Sequence, residues 1–369
     1  MKTIPLIDLK KQYYLLKEEI DGAISKTLEN SAFIKVKEID DFEKNFSEYC
    51  GKDFCAAVDN GTAALYIALK CMGIKEGDEV IIPVNTFIAT AEAVRMSGAI
   101  PIMVDVNNLH LINPEHIEKK ITSKTKAIIP VHLYGNVCDM DSIIKIAQKH
   151  NLLIVEDCAQ AHGSKLHEKK VPISNIGCFS FFPGKSLGAY GDAGGIVSND
   201  EEFIKKCKKF SDHGRLDKYV HDEEGFNFRM DGLQAAILNV KLKHLNNALK
   251  RKRDIAEIYN KNLQDVVEIP LVLEGVFHTY HLFVIMTQPE KRDELKEFLE
   301  NNGIKTGVHY PLSLHLQPAL KYLGYNEGEF PDSERISKRI LSLPMYPELS
   351  NEEVVFITDK IKEFFKESH

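Results

Sequence analysis

Short apolar runs alternate with amphipathic segments in the first half of the chain. The runs at 79–84, 101–106, 127–133 and 152–155 contain few polar residues, and the segments between them repeat apolar residues at helical spacing. Runs that are apolar throughout are typical of strands buried on both faces. Strand–helix units of this length predict parallel strands joined by helical crossovers. The pattern therefore predicts an α/β fold with a mostly parallel sheet.

The two ends of this region are helical in pattern. The first 50 residues predict polar, amphipathic helices, with Leu16, Ile20 and Ile24 at helical spacing. The chain then has two short apolar runs on either side of a glycine-rich turn. The pattern of residues 231–263, which follow, predicts one long helix that could bridge two domains.

A smaller unit is predicted to follow this long helix. Residues 278–286 alternate between polar and apolar positions like a strand, and helices follow. We therefore predict a large domain over residues 1–250 and a smaller α+β domain over residues 251–369.

Composition narrows the classes of function. The chain has 369 residues, 44% of them hydrophobic, which is enough for a large core, and its net charge of −7 gives no basic field for nucleic acid. No apolar stretch approaches the roughly 20 residues that a membrane span needs, and the N-terminus lacks a secretory pattern. We expect a cytoplasmic protein without membrane or nucleic-acid partners. The seven cysteines include no CxxC pair, so we expect free thiols rather than disulfides or a metal site.

The segment Asp59-Asn60-Gly61-Thr62 is the first feature that could carry chemistry. It follows a short apolar run and precedes a helical pattern. A helix N-terminus presents unpaired N–H groups and the positive end of the helix dipole, which together bind phosphate. The alternative is an ordinary helix cap.

The second feature is Asp157 at the end of an apolar run, with Gln160 three residues later. Ligands of open parallel sheets bind outside the carboxyl ends of the strands. An anion there would keep a pyridine nitrogen protonated, and Gln160 could bond a second ligand atom. Asp157 could instead serve only as a structural helix cap.

The third feature is Lys185, in a Pro-Gly turn after a strand of aromatic residues. Apolar surroundings lower the pKa of a lysine and make its amine nucleophilic, whereas a surface turn would leave the lysine without such a role. The fourth feature is the segment 221–234, in which Asn227 and Arg229 alternate with aromatic residues. Its alternative interpretation is an edge strand that runs into a capped helix.

In order and spacing, these features resemble the DegT/DnrJ/EryC1/StrS family of pyridoxal 5'-phosphate (PLP) dependent sugar aminotransferases. The resemblance covers nearly the whole chain through these motifs: NGTAAL, VNTFIATAEAV, PVHLYG, VEDCAQAHG, SFFPGKSLGAYGDAGG, GFNFRMDGLQAAIL and TGVHYPLSLHLQP. It implies an aspartate-aminotransferase-like fold (PLP fold type I). A Rossmann dehydrogenase is excluded because no GxGxxG follows the first strand.

The resemblance also implies roles for single residues. Lys185 is implied to hold the cofactor covalently and to transfer the proton, Asp157 to face the pyridine nitrogen, and Gln160 to meet the phenolic oxygen. The phosphate is implied to lie at Gly61 and Thr62.

Further contacts with cofactor and substrate are implied in the same way. Ser180 adds a hydroxyl to the phosphate site, Phe87 stacks on the ring, and Asn227 reaches the phosphate from the second subunit of a homodimer with shared active sites. His309 and Tyr310 line the sugar-nucleotide pocket, and we include Arg229 as a substrate-binding residue.

The implied reaction moves the amino group of L-glutamate to the C3 ketone of a nucleotide-linked sugar. The GAYGD segment after Lys185 resembles members that act at C3, and we favour a dTDP-linked 3-keto-6-deoxyhexose. The product would be a 3-amino sugar for a glycan, such as lipopolysaccharide or an S-layer, or for an antibiotic. Alternatives are a UDP-linked 3-keto uronic acid, a keto-cyclitol, or a non-catalytic PLP-binding regulatory paralogue. The loop Lys35-Val36-Lys37 departs from the glycine that relatives carry.

Overall fold

The computed structural model describes residues 3–215 and 217–367. Its helices are α1 (Leu9–Leu15), α2 (Lys17–Glu29), α3 (Lys37–Cys50), α4 (Gly61–Cys71), α5 (Ala89–Met96), α6 (Pro114–Lys120), α7 (Met140–His150), α8 (Glu201–Ser211), α9 (Gly232–Leu263), α10 (Pro289–Asn301), α11 (Pro331–Ser337) and α12 (Asn351–Glu367). Its strands are β1 (Phe54–Val58), β2 (Glu79–Pro83), β3 (Ile100–Val104), β4 (Thr125–Ile128), β5 (Leu153–Ile154), β6 (Glu156–Asp157), β7 (Lys165–Leu166), β8 (Lys169–Lys170), β9 (Gly177–Ser180), β10 (Gly194–Ser198), β11 (Val276–Phe277), β12 (Phe283–Met286) and β13 (Ile340–Leu343). Short 3-10 helices cover Leu133–Gly135, Leu314–Leu316 and Pro318–Leu323. The predicted alternation of strands and helices is confirmed.

A mostly parallel sheet forms the centre of the large unit. Strands pair in the orders β3-β2-β4-β5 and β6-β9-β10-β1, and the bridge between Val131 and Asp157 joins the two sets. In this arrangement β10 runs antiparallel to both of its neighbours, and the other pairs within each set are parallel. Buried β-branched and aliphatic side chains fill both faces, in agreement with the apolar runs of the sequence.

The long helix α9 connects two hydrophobic cores. Its N-terminal half packs against α2 and α3, and its C-terminal half packs against α12. Tyr259 and Leu263 belong to the C-terminal core, which also contains Phe283 and, from the other end of the chain, Ile4. The predicted boundary after residue 250 falls inside α9, and the division into two domains stays a prediction.

The strand predicted over 278–286 was too long. The structure begins β12 at Phe283, and Tyr280 has a φ of +49°, which no strand residue adopts. The chain turns there because residues before β12 bond the segment 133–135: Thr279 N–H donates to Gly135 O at 3.1 Å, and Leu282 N–H donates to Tyr134 O at 3.3 Å. These contacts are between segments distant in sequence, so a local pattern does not report them.

Two further expectations concern side chains and helices. All seven cysteines are free and buried. Across residues 3–215 and 217–367, no helix is long and apolar enough to cross a membrane.

The carboxyl edge of the parallel strands positions the site. Strands β6 and β9 end at Asp157 and Ser180, and β1 leads directly to the first turn of α4. The approach is very close: a Cβ on Gly194 would lie 2.3 Å from the carbonyl oxygen of Asn60, and one on Gly61 would lie 2.7 Å from Ser180 Cβ. Glycine at these positions lets the helix start approach the strands.

We therefore expect Gly194→Ala to lower the free energy of unfolding by about 1–3 kcal/mol, because the added methyl group meets backbone that cannot move independently. Gly22→Ala is the matched control: its Cβ would have no neighbour within 4 Å, and alanine within α2 should raise stability by about 0.5–1 kcal/mol. Chemical denaturation of both variants measures the difference. If Gly194→Ala left the free energy of unfolding unchanged, this would contradict the close packing of Gly194 against Asn60.

Candidate active site

Most of the residues selected from the sequence line one cleft at the carboxyl edge of the sheet. The cleft has a volume of about 730 Å³. The predicted site residues that line it are Gly61, Thr62, Phe87, Asp157, Gln160, Ser180, Lys185, His309 and Tyr310. Leu6 and Ile7, from the N-terminal segment, also line it. The structure thus brings together residues that are far apart in the chain.

The start of α4 is an anion-binding cradle. Asn60 caps the helix, with its side chain accepting the N–H of Ala63 at 2.8 Å. The N–H groups of Gly61 and Thr62 have no acceptor within the described part of the chain, and both residues line the cleft. The hydroxyl of Ser180 lies close by, because Gly61 carries no side chain to separate them. Free N–H groups at a helix N-terminus suit a phosphate.

Asp157 is a buried carboxylate held in one orientation. Its Oδ2 accepts a hydrogen bond from the Thr90 hydroxyl at 2.9 Å, and its Oδ1 accepts from the N–H of Ala159 at 3.1 Å. Burial raises the pKa of Asp157, while these donors and the charge of Lys185 act in the opposite direction. A protonated nitrogen beside this group would favour its charged form.

Behind Asp157 lies a buried pair of side chains. His132 Nδ1 accepts the N–H of Cys138 at 3.1 Å, so His132 Nε2 carries the proton and donates to Glu156 at 2.8 Å. The N–H of His132 donates to the carbonyl oxygen of Asp157 at 3.0 Å. Glu156, His132 and Cys158 could in principle hold a metal. The polar side-chain atoms of His132 and Glu156 instead bond the protein and position the strand end that carries Asp157.

Lys185 lies in a tight turn between β9 and β10. Its N–H donates to Phe182 O at 2.8 Å, and a Cβ on Gly188 would lie 2.4 Å from Pro183 O. Burial lowers the pKa of Lys185 to about 8, although Asp157 opposes the shift. A larger fraction of the amine is therefore neutral and nucleophilic near neutral pH than in an exposed lysine.

Two buried lysines of α9 support this turn. Lys241 donates to Gly188 O, and Lys252 lies 3.4 Å from the Ser186 hydroxyl. Residues 241 and 252 are about three helical turns apart and so face the same side of α9. The long helix thereby holds the main chain on the C-terminal side of Lys185.

Gln160 is fixed by the segment that follows β4. Its Oε1 accepts the N–H of Tyr134 at 2.8 Å, and its Nε2 donates to the Tyr310 hydroxyl at 3.2 Å. The Tyr134 hydroxyl donates to His309 O, and His309 Nδ1 lies 2.8 Å from Ser342 Oγ. Tyr134 therefore connects Gln160 with the segment that carries His309 and Tyr310.

Phe87 is the exposed aromatic wall of the cleft. Its side chain is 54% exposed, and its ring lies 5.9 Å from that of Tyr310. A large apolar side chain at this exposure is available to cover a planar ligand.

Asn227 and Arg229 do not line the cleft. They border a second, polar cavity together with Asp59, Asp192 and Asp231. Burial, the largest effect, raises the pKa of Asp59 to about 6. Within one subunit the structure thus separates these two residues from Lys185.

The loop Lys35-Val36-Lys37, which departs from the family pattern, contacts the region around Arg229. Lys35 and Arg229 both form ion pairs with Asp212. Burial acts to raise the pKa of Asp212. The contacts with Lys35, Arg229 and Arg215 outweigh burial and lower this pKa to about 2. Lys35 therefore orders the segment that carries Asn227 and Arg229.

Sequence reasoning missed three residues of the site. Thr90 bonds Asp157, Tyr134 bonds Gln160, and His281 lines the cleft. The signal that could have identified Thr90 in the sequence is its helical spacing from Thr86. In the structure the two hydroxyls lie 3.0 Å apart. His281 had no such signal, because it lies in the segment interpreted as a strand.

The residues of the cleft fit PLP. Free N–H groups at a helix start suit its phosphate, a buried carboxylate suits its ring nitrogen, and a lysine of lowered pKa suits its aldehyde carbon. These three features define the class of protein: a lysine-dependent PLP enzyme on a mostly parallel α/β sheet.

Comparison with known proteins narrows this class to a family. Residues 15–362 match the DegT/DnrJ/EryC1/StrS aminotransferase family. The chain is 40% identical to the dTDP-3-amino-3,6-dideoxy-alpha-D-galactopyranose transaminase of Aneurinibacillus thermoaerophilus, covering 98% of this chain and 99% of the relative. It is 38% identical to the dTDP-3-amino-3,4,6-trideoxy-alpha-D-glucose transaminase of Streptomyces venezuelae, covering 98% and 96%. It is also 42% identical to a "pleiotropic regulatory protein" of Geobacillus stearothermophilus, covering 99% of each.

Solved structures show the same fold. The TM-score is 0.97 to S. venezuelae DesV in complex with a ketimine intermediate, at 37% identity and 99% coverage of both chains. It is 0.87 to NtdA of Bacillus subtilis with bound cofactor PMP, at 34% identity and 95% and 82% coverage. The chain belongs to the DegT/DnrJ/EryC1/StrS aminotransferase family. It is a PLP-dependent aminotransferase with an aspartate-aminotransferase-like fold.

We expect Lys185→Ala to lose the visible absorbance band of the bound cofactor and to reduce turnover by about 10³-fold or more, because it removes both the covalent attachment and the proton-transferring amine. Absorbance spectra and steady-state rates measure these effects. Lys170→Ala, which removes a partly buried lysine that bonds Tyr49 O, is the control and should keep the band. Wild-type turnover in Lys185→Ala would refute the role of Lys185.

We expect Asp157→Asn to keep the fold but lose turnover by about a hundredfold or more, because the amide cannot hold a proton on the pyridine nitrogen by charge. Thr90→Val should have a smaller effect, since it removes only one hydrogen bond to the carboxylate. Single-turnover rates at saturating PLP distinguish the two variants. Equal losses of turnover in Asp157→Asn and Thr90→Val would show that the orientation of the carboxylate matters more than its charge.

Proposed function

We propose that the enzyme transfers the amino group of L-glutamate to the C3 ketone of a nucleotide-linked sugar, with a dTDP-linked 3-keto-6-deoxyhexose as the favoured acceptor. The observation that carries the proposal is the placement of Lys185 and Asp157 in one cleft with the free N-terminus of α4. The transaminase relatives named above act on dTDP-linked 3-amino sugars, which supports the choice of acceptor.

Each residue of the cleft has a definite task in this proposal. When bound, PLP supplies an electron sink for the substrate carbanion. Lys185 moves the proton between the substrate carbon and the cofactor's C4′ atom, and its lowered pKa suits both directions of transfer. Asp157 stabilises positive charge at the ring nitrogen. Gln160 holds the phenolic oxygen, and Phe87 limits movement of the ring.

The lining of the cleft favours a deoxy sugar over a uronic acid. Apolar side chains such as Leu6, Met96 and Phe182 contribute much of the lining. Among the described residues that line the cleft, Lys185 is the only lysine or arginine, and its amine is required for the reaction. A methyl group at C6 is compatible with this apolar surface, whereas a carboxylate placed against it would be desolvated.

A non-catalytic regulatory role is the second candidate, because one relative is named a regulatory protein. The intact combination of Lys185, Asp157 and Gln160 in one cleft supports catalysis instead. A spectrum separates the two: the enzyme should lose its visible band on addition of glutamate, whereas a pure cofactor-binding regulator should not.

A homodimer with shared sites accounts for Asn227 and Arg229. Both lie outside the cleft of their own subunit, and Asn227 is exposed. Phe33, Ile34 and Phe226 are also exposed, at 46%, 46% and 49%, which is typical of a surface that a second subunit covers. Arg229 of a second copy would supply the cation that the cleft lacks. The cytoplasmic location stays a prediction.

The acceptor is tested with a panel of ketosugars supplied with L-glutamate. We expect the dTDP-linked 3-keto-6-deoxyhexose to exceed a UDP-linked 3-keto uronic acid in kcat/KM by about tenfold or more, because a carboxylate at C6 would lie against apolar side chains of the cleft. Release of 2-oxoglutarate measures each reaction. A keto-cyclitol serves as the acceptor without a nucleotide. A preference for the uronic acid would refute the proposed acceptor.

Shared sites are tested by mixing two inactive variants, Lys185→Ala and the double variant Asn227→Ala/Arg229→Ala. In a mixed dimer one site carries both lesions and the other carries neither, so about one working site per heterodimer should return. Co-expression with two affinity tags isolates the heterodimer.

The control for this test is a heterodimer of wild type and Lys185→Ala, which should retain about one working site by the same arithmetic. If the verified heterodimer of the two inactive variants has no activity above either parent, the cross-subunit placement of Asn227 and Arg229 is wrong.

A further inference from the structure

His281 presents an imidazole to the cleft without a protein partner. Its side chain lines the same cleft as Lys185, and the residue is only 7% exposed. Within residues 3–215 and 217–367 no hydrogen bond joins its ring nitrogens to another protein atom, and these nitrogens are not enclosed by the protein but open to the cleft. A ligand bound in the cleft can therefore form hydrogen bonds with this ring.

The main chain of His281 is fixed on two sides. Lys252 Nζ donates to its carbonyl oxygen at 3.2 Å. Leu282 N–H donates to Tyr134 O. A Cβ on Gly135 would lie 2.9 Å from the main-chain nitrogen of His281. The main chain that carries the imidazole is thus fixed before any ligand binds, which is typical of a residue that recognises a substrate.

The groups around the ring keep it neutral. Burial has the largest effect, and the charges of Lys185 and Lys252 add to it, so the pKa of His281 lies well below its usual range. His162 and His309 act in the same direction. A neutral imidazole has one donor and one acceptor, which matches a hydroxyl group.

We propose that His281 binds a hydroxyl of the sugar. This proposal rests on the proposed function. Glutamate has carboxylates and methylene groups but no hydroxyl, so His281 should serve the sugar half of the reaction and not the glutamate half. His281 would then distinguish the two substrates that share one catalytic lysine.

The test compares two amino donors from one starting form of the enzyme. The PLP form is mixed with L-glutamate or with dTDP-3-amino-3,6-dideoxy-D-galactose, and loss of the visible band gives the rate in both cases. The variants are His281→Leu, which removes the polar atoms, and His281→Asn, which restores a short donor and acceptor. His278→Asn is the matched control, because His278 lies three residues earlier in the chain and lines a different cavity.

We expect His281→Leu to slow the amino-sugar reaction by about tenfold and to leave the glutamate reaction within about twofold, since a net hydrogen bond is lost only with the sugar. His281→Asn should recover part of the loss, and His278→Asn should match the wild type with both donors. Calorimetry with the PMP form, which cannot react with an amino sugar, should show a similar loss of affinity in His281→Leu.

Two results would overturn the proposal. Equal losses with both donors would show that His281 shapes the cleft generally, and unchanged rates with both would show that it contacts no substrate. A wild-type enzyme that reacts with glutamate but neither binds nor reacts with the amino sugar would refute the proposed acceptor as well, which separates the two failures.

Discussion

The placement of an amine and a carboxylate in one desolvated cleft is the constraint on which the rest of the structure depends. Burial lowers the pKa of Lys185 and raises that of Asp157, so each group is partly held away from its usual charged form. Both shifts are unfavourable for the protein alone and become useful when a cofactor supplies the opposite charges. Hydrogen bonds from Thr90 and Ala159 orient Asp157, and a main-chain hydrogen bond to Phe182 O fixes the turn that carries Lys185.

Rigid elements on three sides maintain this arrangement. Strand β6 and the pair His132–Glu156 hold Asp157, and α9 holds the Lys185 turn through Lys241 and Lys252. The close approach of the α4 start to β9 and β10, which glycines permit, forms the third side. Catalytic groups on such supports keep their geometry because their neighbours are themselves fixed by packing.

Residues that follow α9 in the chain, among them His281, His309 and Tyr310, complete the cleft. Tyr134 bonds both Gln160 and the main chain of His309, and His281 is anchored to α9 by Lys252. His281, His309 and Tyr310, which line the sugar pocket in our proposals, thus follow α9 in the chain, whereas Gly61, Asp157 and Lys185 precede it. This division lets acceptor specificity change while the cofactor site stays the same.

The sequence by itself determined the strand–helix alternation, the parallel sheet and the local motifs of Lys185, Asp157 and Gly61, because apolar periodicity and turn residues act over short stretches. The tertiary structure alone decided which side chains meet. It shortened the strand at 278–286, placed His281 in the cleft, and separated Arg229 from Lys185 within one subunit. The physical reason is that these outcomes depend on contacts between distant segments, and local propensity carries no information about such contacts.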